Sequence, residues 1–352
     1  MKDTLLVETS LCETRLALLQ AGKLTECFLF RNDDLARVGA RFAARVQSIL
    51  PDMNAALLDL GGETAIVPFR HARHQAPGKL PSGISECVHE GQRVIARIVR
   101  AAMPLDNKQP VARLEKPGGD IPAPQLLTPA SSADDMVAEH EKAGTAIIKG
   151  TAGLFADYGV DEKLEQIIAG HVPLKSGGSL LIEEGRTLTS VDVNAGGADP
   201  LLTNFEAALA LVDEIRLQKL GGNIVVDFID FNDKSHQKKL LATLDNAMPA
   251  INRSGFSPFG LLELSLKREG PSLGMTLRRS SPPVASAKTM AMDLLRLGER
   301  EGMRAGGRKL HLTAPKRVVE WLAAHPQHLK ALEGHISRPI DMKEAEHISA
   351  YL

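Results

Sequence analysis

Two apolar runs of this sequence end in acidic or amide side chains that could bind a cation. Asp192 and Asn194 lie two positions apart in SVDVNAGG, so on a strand they share one face. Three aspartates, Asp227, Asp230 and Asp233, interrupt or follow the apolar run VVDFIDFND. A buried carboxylate needs a partner, and a cation shared between Asp192 and Asp230 would satisfy both. Magnesium suits such a pair because it binds one or two carboxylates, keeps waters and contacts phosphate oxygens.

The same side chains also have a purely structural explanation, in which they cap helices or face solvent at strand ends. Two acidic strand ends that flank one helix in an α/β sheet weaken this explanation, because ligands prefer the carboxyl ends of strands. Spacing alone does not identify the reaction. A nuclease, a phosphatase and an NTP-binding enzyme would fit equally well.

Residues 160–270 are predicted to alternate strand and helix and so to position these side chains. LLIEE, TLTSVDVNA, NIVVDFIDF and FGLLELSLKRE read as strands. Thr203 and Glu206 predict a capping box that opens the helix between the second and third strands. Gly221–Gly222 ends that helix, and the Asn or Asp of FNDK caps the next one.

The rest of the chain divides into segments that differ in composition and in the spacing of their apolar residues. Residues 4–30 alternate apolar and polar around AGK and predict a β-hairpin or two successive strands, while residues 33–50 look helical. Short strands with Gly and Pro between them over 55–113 predict a small β-barrel. The proline-rich segment 115–142 predicts an extended linker. Residues 287–352 predict a small α/β unit of two helices and the strand KLHLTA.

Composition limits the class of protein. The 352 residues carry 42 Lys plus Arg against 43 Asp plus Glu, and only 10 Phe, 2 Tyr and 1 Trp. These figures disfavour a module held to nucleic acid by global charge or by many stacking aromatics. The three cysteines are isolated and predict neither disulfides nor a zinc site. Acidic residues interrupt the first 20 positions, so we expect no signal peptide and a cytoplasmic protein without membrane partners.

Six segments occur along the chain in the order ETRLALLQAGKLTE, AALLDLGG, SGGSLLIEEGRTLTSVDVNAGG, TNFEAA, GGNIVVDFIDF and GPSLGMTLRR. In sequence and in order they resemble the ribonuclease E/G family of bacterial endoribonucleases. The resemblance implies an α/β fold of the α+β multidomain kind. It comprises an RNase H-like and DNase I-like catalytic core, an inserted OB-fold β-barrel and a small C-terminal α/β domain. The implied parts are an RNase H-like first part (1–37), the OB-fold (38–114), a linker with reduced sensor (115–176), the DNase I-like domain (177–280) and the C-terminal domain (281–352).

The resemblance also implies a chemistry. Asp192 and Asp230 would ligate a catalytic Mg²⁺, with Mn²⁺ as the alternative, and Asn194 would orient that site or contact the scissile phosphate. The products would be a 5′-phosphate and a 3′-hydroxyl. The segment SSPPVAS stands where the family has a paired-cysteine zinc link, so neither zinc nor a zinc-linked assembly is expected. A homodimer through the catalytic domain is compatible with the resemblance.

Departures from the family's pattern concern substrate contacts. Leu57, Leu60 and Ile66 stand where the family carries base-stacking aromatics, and Gly150 stands where its 5′-monophosphate pocket has an arginine. Most of the 5′ sensor is expected to be missing. The candidate RNA-binding residues are basic or lie at positions the family uses, with a solvated surface as the alternative: Arg70, Arg73, Lys108, Lys149, Thr151, Lys267, Arg268, Arg278 and Arg279.

Three functions follow from these residues. The leading hypothesis is a magnesium-dependent endoribonuclease for single-stranded RNA, acting in RNA processing or decay. The second is an RNA-binding or ribosome-associated protein with weak or no catalysis, which the missing aromatics support. The third is a metal-dependent phosphohydrolase for small substrates, which needs only the acidic pair.

Overall fold

The computed structural model describes residues 2–11, 13–31, 37–73, 81–103, 108–231, 233–249, 251–268, 270–278, 285–303 and 309–351. The chain forms two compact units. One comprises Met1–Arg31, Val137–Arg268 and Ser272–Leu352, and the other comprises Asn32–Met136 with Glu269–Pro271. The five-part division expected from the family resemblance is finer than this and stays a prediction.

Three antiparallel strands begin the first unit: β1 (Thr4–Thr9), β2 (Glu13–Gln20) and β3 (Lys23–Arg31). The predicted hairpin around AGK is confirmed for β2 and β3, while β1 is a third strand where one hairpin or two successive strands were expected. The two-residue loop of the hairpin, Ala21 and Gly22, has φ values of 50° and 82°. Positive φ at both loop positions matches the twist of the flanking strands.

The second unit contains the predicted β-barrel, which is confirmed as a closed five-stranded one. Its strands are β4 (Arg41–Leu50), β5 (Ala55–Asp59), β6 (Thr64–Pro68), β7 (Arg93–Arg100) and β8 (Val111–Pro117). They pair in the order β4-β5-β6-β8-β7, and β7 pairs with β4 to close the ring. Small and branched side chains fill the interior.

Two predictions for this part of the chain are wrong. Of the helix expected over 33–50, residues 33–36 lie outside the described residues, and residues 41–50 form the strand β4 instead. Phe42, Ala44 and Val46 of that strand alternate into the barrel core. The linker expected over 115–142 contains the strand β9 (Gln125–Thr128), which pairs with β4, and the helix α1 (Ala133–Lys142). Prolines restrict this segment without preventing a short strand between them.

The first unit continues with β10 (Ala146–Gly150), which pairs in parallel with β1 to give a four-stranded sheet of order β10-β1-β2-β3. The helices α2 (Leu154–Asp157) and α3 (Val160–Ala169) follow. Apolar side chains of this sheet and of both helices, including Leu6, Phe155 and Ile167, share one buried cluster.

A six-stranded sheet carries the acidic segments. Its strands are β11 (His171–Pro173), β12 (Ser179–Glu184), β13 (Leu188–Asn194), β14 (Gly222–Asp227), β15 (Asn252–Phe256) and β16 (Leu261–Leu266). They are arranged β11-β12-β13-β14-β16-β15, and β15 carries an irregularity between Arg253 and Phe256. Only β13 and β14 pair in parallel. The crossover between them is α4 (Pro200–Gln218), and α5 (Lys234–Ala247) follows β14.

The predicted capping box of α4 is wrong. Asp199 caps the helix by accepting a backbone N–H at 2.8 Å, and Pro200 occupies the first turn. Thr203 lies inside the helix, and its hydroxyl donates to the Asp199 carbonyl at 2.8 Å. The Glu206 carboxylate instead accepts the Ser176 N–H at 2.9 Å. The helix therefore begins one turn earlier than the sequence pattern suggested.

The C-terminal part of the first unit has the α/β character that was predicted. It contains α6 (Leu273–Leu277), α7 (Ala287–Gly302), β17 (Leu310–Ala314), α8 (Lys316–Ala324), α9 (Pro326–Ile336), β18 (Ile340–Glu344) and β19 (Ser349–Tyr351). Its three strands are arranged β18-β17-β19. Among the described residues, no helix is both long and apolar enough to cross a membrane.

Candidate active site

The strand β13 presents Asp192 and Asn194 on one exposed face, as the sequence predicted. Residues along β13 alternate between exposed and buried, and Val191 and Val193 point into the core that α4 covers. The Asn194 side-chain amide donates to the Asp192 carboxylate at 2.7 Å. This contact orients the carboxylate and leaves the Asn194 amide oxygen available for a ligand.

The parallel register brings a second carboxylate to the same edge. Asp192 lies opposite Asp227, the last residue of β14, and both are exposed. Asp230 follows three residues later and is also exposed. Within the described part of the chain, no cationic side chain forms an ion pair with any of these three carboxylates. Like charges on neighbouring strand ends repel each other, and a bound cation would relieve that repulsion.

The residue types at this edge determine which ions it could hold. No three His, Cys, Asp or Glu side chains among the described residues lie close enough to form a metal cluster. The predicted donors, Asp192, Asp230 and Asn194, offer carboxylate and amide oxygens to an ion. Mg²⁺ and Mn²⁺ suit such a set, because they bind oxygen ligands and Mg²⁺ keeps most of its waters.

Asn204 of α4 fixes the segment that carries Asp230, and it is not among the site residues predicted from the sequence. Its side chain is 1% exposed. Its amide donates to the Ile229 carbonyl at 2.7 Å, and its oxygen accepts the Ile229 N–H at 3.0 Å. The chain that leaves β14 is thus fastened one residue before Asp230. An amide side chain in TNFEAA, on the helix side that also buries Ala207 and Ala208, was the available signal.

Aromatic packing fastens the same segment on both sides of Asp230. Phe228 and Phe231 each contact Phe256 of β15, with ring centroids 6.1 Å and 5.4 Å apart. Edge-on ring pairs of this kind add stability beyond their buried area. The backbone between the two rings is therefore held by side chains on both flanks.

Close backbone packing shapes the loop after β13. A Cβ on Gly178 would lie 2.5 Å from the Asn194 carbonyl oxygen, so only glycine fits there. Gly196 and Gly197, which follow Asn194, have φ values of 57° and 88°. Positive φ at two consecutive positions favours glycine and lets the backbone turn tightly after Asn194.

Comparison with known proteins places this site in a family. A profile of the Ribonuclease E/G family matches residues 85–269, slightly more than half of the chain. The chain belongs to this family. It is 28% identical to Ribonuclease E of Haemophilus influenzae over 253 residues, which is 67% of this chain and 26% of that protein. It is 32% identical to Ribonuclease E of Escherichia coli K12 over 191 residues, covering 49% of this chain and 18% of that protein.

Ribonuclease G of Salmonella typhimurium is 32% identical over 161 residues, or 41% of this chain and 33% of that protein. The aligned parts therefore span about a fifth to a third of these relatives. The match to the Ribonuclease E/G profile includes both β13 and β14. The family resemblance expected from the sequence is thereby confirmed.

Two predicted RNA-binding residues of this ribonuclease E/G chain, Lys267 and Arg268, lie at the end of the six-stranded sheet opposite the carboxylates. Gly222, at the start of β14, pairs with Leu266, so Lys267 and Arg268 follow β16 at the edge opposite Asp227. Five residue steps separate the edges, or about 17 Å. Arg268 also donates to the Gly221 carbonyl at 2.9 and 2.7 Å. Contact of both residues with RNA stays a prediction, and any such contact would lie away from the acidic edge.

Arg278 is buried, at 6% exposure, and its partners are internal. Its guanidinium donates to the Ile167 carbonyl and lies 3.7 Å from the Glu184 carboxylate. Burial lowers the pKa of Arg278 and raises that of Glu184. Its burial disfavours the predicted contact with RNA. Arg279 lies outside the described residues.

The other predicted RNA contacts of this family member are exposed and lie on elements outside the six-stranded sheet. Arg70 and Arg73 follow β6, and Lys108 exchanges backbone hydrogen bonds with Met103. All three belong to the unit that contains the barrel. In the other unit, Lys149 is in β10 and Thr151 follows it. Their RNA contacts stay predictions.

The positions that lack the family's aromatics are occupied by aliphatic side chains. Leu57 and Ile66 are cross-strand partners in the barrel, and Leu60 is 4% exposed. A Cβ on Gly150 would lie 3.3 Å from the Leu154 side chain, so larger residues at position 150 would press on Leu154. Leu60 and position 150 are therefore limited by packing, whereas Leu57 and Ile66 are half-buried and lie outside the buried core of the barrel.

Proposed function

We propose that this ribonuclease E/G family member is a magnesium-dependent endoribonuclease that cleaves single-stranded RNA. The observation that carries the proposal is the exposed edge where Asp192, Asn194 and Asp227 meet and near which Asp230 is fastened. The edge lies inside the segment that matches the family. It offers oxygen ligands and has no cationic side chain paired with its carboxylates among the described residues.

Each residue at this edge has its own role in the proposed reaction. Asp192 and Asp230 hold the ion, and Asn194 holds Asp192 in place through its amide. When bound, magnesium polarises the phosphodiester and makes water a stronger nucleophile for in-line attack. The expected products are a 5′-phosphate and a 3′-hydroxyl. Mn²⁺ is the alternative ion, and no zinc is expected in this donor set.

The remaining assignments rest on the family resemblance. We infer that the barrel is the OB-type RNA-binding part, and that the four- and six-stranded sheets are the RNase H-like and DNase I-like parts. RNA processing or decay in the cytoplasm is the proposed setting, with a homodimer through the catalytic domain. The second candidate, RNA binding with weak or no catalysis, is favoured by the aliphatic residues at Leu57 and Ile66.

The test is cleavage of a short A/U-rich single-stranded RNA with and without Mg²⁺. We expect the double variant Asp192→Asn, Asp230→Asn to lose activity by about 100-fold or more. Asp233→Asn is the matched control, because Asp233 lies in the same segment but caps α5 through the Ser235 N–H at 2.7 Å. Asparagine caps equally well, so this variant should cleave normally.

Two outcomes separate the nuclease from the RNA-binding protein, and a further comparison tests recognition of the RNA 5′ end. Equal cleavage by wild type and double variant refutes the nuclease assignment. RNA binding without Mg²⁺-dependent cleavage by the wild type supports the second candidate instead. RNAs with a 5′-monophosphate and a 5′-hydroxyl should be cleaved at similar rates because Gly150 replaces the pocket's arginine; a large preference would show that a pocket exists in another form.

A further inference from the structure

The turn between β15 and β16 projects from the acidic end of the sheet. Asp192 lies opposite Asp227, and Asp227 lies opposite Leu261, the first residue of β16. β16 runs antiparallel to β14, so the turn at 257–260 lies beyond the end where β13 and β14 deliver their carboxylates. The turn is thus placed beside the candidate active site by the strand pairing itself.

Phe259, within this turn, is 89% exposed. The next most exposed large apolar side chain among the described residues is Met303, at 66%. The other phenylalanine of this hairpin, Phe256, points the opposite way and packs on Phe228 and Phe231. The hairpin therefore buries one ring and presents the other.

Hydrogen bonds hold the turn in one conformation. The Ser257 N–H donates to the Leu261 carbonyl at 2.8 Å, and the Gly260 N–H donates to the Ser257 carbonyl at 3.0 Å. The Ser257 hydroxyl accepts the N–H groups of Phe259 at 3.3 Å and Leu261 at 3.2 Å. Gly260 has a φ of +83°, which favours glycine. The exposed ring of Phe259 is therefore carried by a turn whose backbone is fixed by hydrogen bonds.

We propose that Phe259 stacks on a nucleobase of the RNA strand bound at the acidic edge. This inference rests on the proposed function. A single ring flanked by Ser257, Pro258 and Gly260 matches one base in size, whereas a protein interface needs a far larger apolar patch. Every base has a π-face, so the contact would bind single strands with little sequence preference.

The other exposed aromatic side chains among the described residues are less suited to stacking on a base. Tyr351 is 49% exposed but its ring is stacked on His311, with centroids 5.2 Å apart. Tyr158 is 46% exposed, follows α2 and lines a pocket with Val172 and Pro173 of β11, at the border of the six-stranded sheet opposite β15. The barrel has aliphatic residues where the family stacks bases. Phe259 would supply a stacking surface in a different place, next to the cleaved bond.

The test uses the full chain and a short single-stranded RNA that carries 2-aminopurine, whose fluorescence falls on stacking. In the cleavage-deficient Asp192→Asn background, Phe259→Ala should weaken binding by roughly 5- to 150-fold and reduce the quenching, since one base stack contributes about 1–3 kcal/mol. Phe259→Trp should retain both, and Phe259→Leu should behave like Phe259→Ala. Tyr158→Ala is the matched aromatic control and should bind as the parent does.

The outcomes distinguish this inference from the proposed function. If Phe259→Ala binds and quenches like its parent while Asp192→Asn still abolishes cleavage, stacking is refuted and the nuclease stands. If Phe259→Leu restores full binding, the contact is merely apolar and stacking is also refuted. A lower sedimentation mass for Phe259→Ala with unchanged RNA affinity would assign the ring to a protein interface. If wild type does not cleave but Phe259→Ala alone loses quenching, stacking stands without the nuclease.

Discussion

Replacing Asn204 tests whether the segment after β14 must be fastened for catalysis. In the wild type, the buried Asn204 amide makes two hydrogen bonds to the backbone of Ile229, at 2.7 and 3.0 Å. The next residue is Asp230, a proposed metal ligand. Asn204→Ala removes both bonds without touching any residue proposed to bind metal or RNA. We therefore treat Asn204 as a positioning residue.

The size of the effect follows from the two backbone groups that lose their partner. Each unsatisfied buried polar group costs about 1–3 kcal/mol. Ile229 is only half-buried, so water reaches part of its backbone and we expect the lower half of the range. The expected loss in the free energy of unfolding is about 2–4 kcal/mol. A displacement of Asp230 by about 1 Å would lower kcat by up to about 100-fold.

Urea unfolding and steady-state RNA cleavage measure the two quantities separately. Cleavage is measured where the variant is fully folded, so a fall in kcat with little change in KM reports the position of Asp230. Thr203→Val is the control: Thr203 is also buried in α4, but its hydroxyl bonds to the Asp199 carbonyl within the helix. That variant should keep kcat. A folded Asn204→Ala protein with wild-type kcat would refute the positioning role.

Two further predictions concern other parts of the first unit. Burial raises the pKa of Glu13, but Arg296 and Arg31 outweigh burial and hold that pKa below its usual value of 4.5. Stability from Glu13 is therefore present above that pH and lost as the pH falls through the lowered pKa, so Glu13→Gln should flatten the decline of the urea midpoint in acid. Arg268→Ala should lose about 1–2 kcal/mol of stability, because the Gly221 carbonyl loses its donors, and should bind RNA normally in a filter assay. Weaker binding by that variant would mean that RNA also contacts the opposite edge.

Local periodicity was enough to predict the strands that carry the site. Alternation along SVDVN placed Asp192 and Asn194 on one face, and the apolar run before Asp227 predicted a buried strand. These features depend on residues two positions apart, which the sequence displays directly. The barrel was predicted in the same way, from short runs separated by turn residues.

The positions of several basic side chains depend on contacts between segments that are distant in sequence, and the sequence does not display those contacts. Lys267 and Arg268 follow a strand next to β14, but the antiparallel register places them at its far end. Arg278 is polar in sequence and buried in the fold, because Ile167 and Glu184 supply its partners. Such partners lie many residues away, so no local pattern reveals them.

The outer strands of the six-stranded sheet restrict how two copies of the chain could associate. β11 has only three residues and ends in Pro173, which has no N–H to offer a neighbour. β15 is interrupted between Arg253 and Phe256, so its outer backbone does not form a regular template. A continuous intermolecular sheet is therefore disfavoured at both borders. Any dimer built on this part of the chain must rely on side-chain complementarity between helices or sheet faces, which point mutations can tune independently of the strands that carry the carboxylates.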